Sequence, residues 1–396
     1  MKKFEIPEKY KSTIIAEIKE KRRLSDRMKK DFSPSVLEFD HVDFVLARHF
    51  GFCYGVENAV EKVYRVLDEH PDKNIYLLSQ MIHNPTVNED LLERGIRFVM
   101  DTQGNQQIAW DTITGDDIVL IPAFGTTLEI EKILKEKGIV SKQYDTTCPF
   151  VEKVWNRSAK LGKDNYTIII HGKAIHEETR ATFSPSSAEG KTVVVKNIQE
   201  AKLLAQFIDK QLPKEDFYTF FEGKYSDGFD PFVHLDKVGV VNQTTMLASE
   251  THEIAQFFKD KMTEIHGEME LKNHFADTRD TLCYATNDNQ KATLELMEEN
   301  GDFAVVVGGY NSSNTMHLVE LLEQKFDTFF VQNANKIESK SCINHFDIHA
   351  KIEKSTDFIS KFGTKKLKII ITCGASCPDS VLNEVIEKIV TLTDEN

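Results

Sequence analysis

Residues 305–321, VVVGGYNSSNTMHLVEL, decide how this chain folds. Three consecutive valines form a short apolar run of the kind that a strand buried on both faces requires. Gly308 and Gly309 and a polar burst from Asn311 to Asn314 break the run, and a helical pattern follows. A strand entering a helix through a small-residue turn is the repeating unit of an α/β domain. At such a junction, backbone N–H groups and the side chains of Ser312, Ser313 and Asn314 can converge on an anion, and a phosphate or diphosphate fits. Ser and Asn favour helix N-caps with or without a ligand, so the turn alone carries both readings.

The plan recurs along the chain. IIITCGASCPDSVLNEVI (369–386) is strand, small-residue turn and helix, with Pro378 suited to a first helical turn and Ser376 a second anion donor. TIIIHGKAIHEETRAT (167–182) brings His171, His176, Glu177 and Glu178 to a strand end, where acid–base groups sit in open α/β domains. Its H-x-E fragment lacks the P-C-x-x-C of a zinc deaminase, which excludes that chemistry. VVNQTTM (240–246) ends a strand with Gln243, Thr244 and Thr245, and MIHNPTV (81–87) sets His83 just before a helix. Taken singly, these are ordinary turn and capping residues.

Working outward, apolar runs predict strands at 43–47, 75–78, 117–121, 166–170, 192–196, 238–241, 303–307, 328–331 and 367–372. Amphipathic segments predict helices at 56–68, 150–161, 198–208, 248–265, 288–299, 314–325 and 379–392. The alternation specifies an α/β fold with mainly parallel sheets. It divides into a helical N-terminal arm (1–40) that packs on the body and three α/β domains at 41–147, 148–279 and 280–396. Residues 211–236 and 335–365 have no clean period and read as insertions.

Composition describes an ordinary globular chain: 396 residues, 40% hydrophobic and 28% charged. The longest apolar stretches, such as Ile118 to Phe124, fall far short of the roughly 18 residues of a membrane span. No apolar targeting segment opens the sequence, so the expected location is the cytoplasm and no membrane partner is expected. The net charge of −14 also disfavours nucleic acid. Residues 1–31 run against that balance, with eleven basic and six acidic side chains, so they carry +5 and the remainder −19.

Six cysteines occur, and none belongs to a CxxC pair. Three stand at or just before helical patterns in similar settings: Cys53 in HFGFCYGVENAVEKV, Cys148 in YDTTCPFVEKVWNRS and Cys283 in TRDTLCYATNDNQKATLEL. A helix N-terminus favours thiolate. Three thiolates suit either zinc with an open position or a [4Fe–4S] cluster with one iron free, and spacing does not choose between them. Cys373 and Cys377 fit better as small packing residues around their turn.

Together and in order, GFCYGVENAV, TTCPFVEKVW, HGKAIHEET, NQTTM, LCYATNDNQ, NSSN and GASCP resemble the LytB/IspH reductases, the 4-hydroxy-3-methylbut-2-enyl diphosphate reductases of the non-mevalonate isoprenoid pathway. The resemblance runs from about residue 43 to residue 390 and implies a trefoil-like arrangement of three α/β domains around a central [4Fe–4S] cluster. Cys53, Cys148 and Cys283 would hold three irons and leave the fourth open. Glu178 would be the proton donor, with Thr244 and His176 completing the relay. His83, Ser312, Ser313, Asn314 and Ser376 would bind the diphosphate of the allylic substrate. Electrons would come from an external donor such as ferredoxin or flavodoxin. Where many members have S-A-H-G, this chain has Ala123, Phe124 and Gly125, which removes one polar donor. The longer plant- and cyanobacteria-like branch shares that Phe, and the arm and the 211–236 insertion fit that branch too. Two other classes remain compatible with the cysteines: a non-catalytic iron–sulfur sensor or electron carrier, and a zinc hydrolase using Glu178. A dinucleotide-binding dehydrogenase is disfavoured, because no GxGxxG joins a strand to a helix.

Overall fold

The computed structural model describes residues 4–276 and 281–395. All nine expected strands form, and six of the seven expected helices form at or within a few residues of their expected bounds; the one expected at 248–265 runs on through a kink to His274. The described residues form four sheets, and their pairing does not follow chain order. The described residues of Met1–Tyr64, Ile82–Leu91 and Tyr284–Asn396 make one unit; those of Arg65–Met81 and Leu92–Cys283 make the other.

In the first unit, Val42–Leu46, Leu367–Cys373, Phe303–Val307 and Thr328–Val331 lie side by side and parallel. Successive side chains on a strand face opposite ways, and here both faces are covered. Phe44, Val305, Ile369 and Ile371 pack with Ile15, Leu382, Val385 and Ile389 on one side. Val45, Val306 and Ile370 pack with Leu296, Leu318 and Leu322 on the other. The expectation of three consecutive α/β segments did not anticipate that Val42–Leu46 pairs with the C-terminal strand Leu367–Cys373. Periodicity marks a strand as buried on both sides, but a strand's neighbours are chosen by long-range packing.

The arm is anchored as expected: helix Thr13–Ser25 puts Ile15 fully into this core, and the Tyr10 hydroxyl meets those of Tyr64 and the Asp90 carboxylate. Residues 1–40 are not helical throughout, because Ser35–Glu38 forms a strand antiparallel to Val42–Leu46. Residues 335–365 hold an antiparallel meander of Ile337–Ser339, Cys342–Asp347 and Ile352–Thr356.

The second unit holds two parallel sheets. Thr192–Val195, Thr167–His171, Val238–Asn242 and Phe275–Ala276 form one; Arg97–Phe98, Ile75–Leu77 and Ile118–Leu120 form the other. The 211–236 insertion supplies Phe217, Phe221 and Phe229 to the core of the larger sheet, with Phe217 and Phe229 stacked at 5.1 Å. The expected boundary at 279/280 lies outside the described residues.

Helix Ala248–His274 kinks at Gly267, whose φ of 77° suits glycine. Across the kink the His266 and His274 rings stack at 3.4 Å with planes 6° apart, beside Asp236. One ring nitrogen of each histidine and a carboxylate oxygen of Asp236 lie within 4.8 Å of one another. The Asp236 carbonyl accepts a 2.8 Å contact from His274 Nδ1, so the trio clamps the kinked end of the helix.

No described helix is long and apolar enough to cross a membrane.

Candidate functional site

Parallel register places the candidate groups of each unit at one edge of a sheet. In the first unit, Val307 is level with Cys373, and Ile371 with Leu46. The three loops that follow these strands therefore leave the same sheet edge, where ligands bind in open α/β folds. They carry Cys53, the 308–312 turn and the 374–378 turn. Cys53 N–H donates to the Ala375 carbonyl at 3.2 Å, which ties that cysteine to the second turn.

The two turns are packed too tightly for side chains. A Cβ on Gly309 would collide with the His83 carbonyl, and one on Gly374 with Thr315 Oγ1. Ser376 Oγ donates to the same His83 carbonyl at 3.1 Å. Ser312 caps helix Ser313–Leu322 by accepting from Thr315 N–H. His83, Ser312, Ser313, Asn314 and Ser376 are thus buried together in this unit. Asn314 is 4% exposed, yet both its amide oxygen and nitrogen lack a hydrogen-bond partner among the described residues. Asn84 Nδ2, next to His83, is in the same state. Leaving a buried polar group unpaired costs about 1–3 kcal/mol, so these atoms point to a polar ligand.

In the second unit, His171 is level with Asn242, and the loops after them leave one edge. The first loop leads into helix Glu177–Glu189, which was not among the expected helices because it is mostly polar and contains Pro185. His176 is its N-cap, and its Nδ1 accepts from Glu178 N–H at 3.2 Å. Glu178 is 1% exposed, and a carboxylate oxygen accepts a short hydrogen bond from Thr244 N–H on the second loop. Burial raises this carboxyl to about 7 against the lowering effect of Thr244. Glu177 bonds instead to Ser79 Oγ, so the two adjacent acids have different partners.

Cys148 caps helix Pro149–Lys163, and Cys283 directly precedes helix Tyr284–Glu298. The Cys148 thiol is pushed up to about 12, chiefly by burial and further by the charges of Cys283 and Glu178. Both groups are thus within electrostatic reach of the Cys148 thiol. None of the six cysteines is disulfide-bonded. Cys373 and Cys377 are buried in the first unit's core.

Sequence reasoning did not foresee the supporting contacts of several residues. Gln243 Oε1 accepts from Lys173 N–H and Thr179 Oγ1, which locks the two loops that carry Glu178 and Thr244 together. Phe124 sets its ring edge-on to His176 at 5.9 Å. Gln243 was visible as part of NQTT; Asn84 and Phe124 gave no local sign of their roles.

The LytB protein family model matches residues 44–390. A 4-hydroxy-3-methylbut-2-enyl diphosphate reductase of Trichormus variabilis is 36% identical over 389 residues, 98% of this chain and 91% of that one. One from Rippkaea orientalis is 40% identical over 350 residues, 88% of this chain and 84% of that one. Among solved structures, the E-1-hydroxy-2-methyl-but-2-enyl-4-diphosphate reductase from Plasmodium falciparum is similar with a TM-score of 0.63 at 22% identity, over 88% of each chain. A second, (E)-4-hydroxy-3-methyl-but-2-enyl diphosphate reductase, has a TM-score of 0.52 at 24% identity and covers 87% of this chain and 98% of its own. Those two likenesses speak to the fold alone. With the family match spanning most of the sequence and all seven motifs inside it, the chain belongs to the LytB family.

Proposed function

We propose that this chain is a 4-hydroxy-3-methylbut-2-enyl diphosphate reductase of non-mevalonate isoprenoid synthesis. It removes the allylic hydroxyl as water and yields isopentenyl and dimethylallyl diphosphates. The observation that carries the reading is the Glu178 carboxyl, 1% exposed, held by Thr244 N–H and raised to about 7 by burial.

The donor set suits an iron–sulfur cluster: three thiols outside any disulfide, each at a helix start, two of them within electrostatic reach of each other. Cys53, Cys148 and Cys283 are the residues that would hold it. When bound, the cluster supplies a Lewis acid for the hydroxyl oxygen and electrons one at a time.

The chain's own residues do the rest. The turns at 308–314 and 374–376 and His83 hold the diphosphate by buried donors rather than by Lys or Arg. Glu178, with a pKa of about 7, is half protonated near neutrality and gives up a proton from its carboxyl oxygen. Thr244 N–H fixes the other oxygen, and His176 steadies the helix start that carries the acid. Replacing C–OH by C–H with release of water consumes two electrons and two protons, supplied from outside by a carrier such as ferredoxin or flavodoxin. A pure electron carrier has no use for the buried anion pocket.

Anaerobic reconstitution with iron and sulfide, followed by assay with the allylic diphosphate and reduced viologen, tests the reading. A brown protein that turns over is expected; a colourless or inactive one sinks it. Asn314→Ala should raise the KM for the diphosphate about tenfold, the equivalent of roughly 1.4 kcal/mol, with little change in kcat. An unchanged KM would remove Asn314 from the pocket.

A further inference from the structure

A recess of about 540 Å³ in the first unit is lined by the N-terminal arm, by residues 48–54 and by the start of helix Tyr284–Glu298. That volume lies within the roughly 300–1,000 Å³ of small-molecule sites. Apart from Cys53, none of its walls takes part in the proposed reduction.

Part of the wall is aromatic: Phe4, Phe50, Phe52, Tyr54 and Tyr284, with Phe4 packed edge-on to Tyr54 at 4.9 Å. Another part is basic. Lys19, Arg23, Arg27, Lys29 and Arg48 outnumber the acids Asp26, Glu57 and Asp288, on a chain of −14. Lys19, Arg23 and Arg48 are paired with Asp379, Glu20 and Asp26. Exposed Arg27 and Lys29 have no ion pair among the described residues.

The lining also carries buried polar atoms without partners. Arg48 Nε, His49 Nε2 and Asn289 Nδ2 have no hydrogen bond among the described residues. The Arg48 side chain is 8% exposed and Asn289 5%. His49 is pushed down to about 4 by burial and by Arg48 and Lys29, so its ring is neutral near pH 7 and can carry a proton on Nε2. Unpaired buried donors are costly, and donors gathered on one recess ask for a group rich in acceptors. A phosphate ester presents about three strong acceptor oxygens where a carboxylate presents two, and guanidinium favours it. The aromatic wall asks for hydrocarbon beside that head group.

We propose that this recess is a second, non-catalytic site for an amphipathic phosphate ester of the prenyl diphosphate class, whose head group lies on Arg48, His49 and Asn289 and whose tail lies on Phe50, Phe52 and Tyr284. Arg27 and Lys29 draw the anion to the rim. Occupancy slows turnover, because Cys53 is a wall of the recess and Tyr284 follows Cys283 in the chain. That effect rests on the reductase reading, whose products carry the same head group on a shorter tail; binding itself does not.

The probes are geranyl diphosphate, inorganic diphosphate and geraniol, titrated calorimetrically onto the full chain under anaerobic conditions. Geranyl diphosphate should bind with a Kd below about 0.1 mM, inorganic diphosphate at least tenfold more weakly, and geraniol without saturation. Asn289→Leu and the double variant Arg27→Glu with Lys29→Glu should each weaken geranyl diphosphate at least tenfold, while Asn314→Ala in the catalytic pocket leaves this affinity unchanged. Leucine removes an amide that has no partner, so Asn289→Leu should keep or raise the Tm of the ligand-free chain. Lost binding is thereby told apart from lost folding. In viologen-driven turnover, geranyl diphosphate should lower the wild-type kcat without raising the KM for the allylic diphosphate, and Asn289→Leu should escape this inhibition.

Wild-type affinity in both Asn289→Leu and the double variant overturns the proposal. So does loss of binding in Asn314→Ala, or inhibition that only raises the KM, since either places the ligand in the catalytic pocket. Equal affinity for inorganic diphosphate removes the role of the tail, and binding that leaves kcat unchanged overturns the inhibition. A wild-type chain inactive with viologen counts instead against the reductase reading, while the titration still decides the site.

Discussion

Glu178→Gln is expected to lower turnover roughly 100- to 10,000-fold while iron content and the visible spectrum stay as in the wild type. Glutamine keeps an oxygen to accept from Thr244 N–H and keeps the volume of a side chain that is 1% exposed, so the loop contact survives and the transferable proton is lost. The wild-type pH profile should fall above about pH 7, where the raised carboxyl ionises. Residual activity in the glutamine variant should lack that limb.

A stability measurement on the cluster-free chain checks the same carboxyl independently. Its pKa rises from 4.5 in the unfolded chain to about 7 in the folded one, so the folded state binds more protons between those values. Its contribution is complete below about pH 4.5 and is lost as pH rises toward 7, by up to about 3 kcal/mol. Glu178→Gln should flatten that fall. Turnover within a few-fold of wild type would remove Glu178 from the proton-donor role.

Cys283→Ser is the other large effect. A serine hydroxyl does not ionise in the range where a thiol does, so reconstituted protein should lose the visible sulfur-to-iron absorption, most of its iron and all measurable turnover. Cys373→Ala is the matched comparison, since that residue is fully buried in the first unit's core. It should keep colour and activity and lose only the modest stability that a vacated side-chain volume costs, about 1 kcal/mol or more. Equal colour in the two variants would remove Cys283 from the ligand set. Loss in both would bring Cys373 into it.

Much of the fold was legible because local rules wrote it. Runs such as VVV at 305–307 and III at 369–371 become strands buried on both faces, and the expected bounds for 303–307 and 328–331 hold to the residue. The cysteines at helix starts were legible for the same reason. What escaped was either polar throughout, as in helix Glu177–Glu189, or outside the main alternation, as in the antiparallel meander of 337–356.

By itself the sequence determined the strand–turn–helix units and the chemistry each turn carries: thiol, carboxyl, hydroxyl, amide. Those properties follow from side-chain type and from periods of 2 and 3.6, which act over a few residues. Only the tertiary structure decided which turns share an edge. It set Val42–Leu46 against Leu367–Cys373, more than 300 positions away, and level register then brought Cys53 to the 374–378 turn. In the other unit, pairing of Thr167–His171 with Val238–Asn242 put Thr244 onto Glu178 and left its carboxyl out of water. Strand partners are selected by the burial of whole faces, a sum over distant residues that no local window contains.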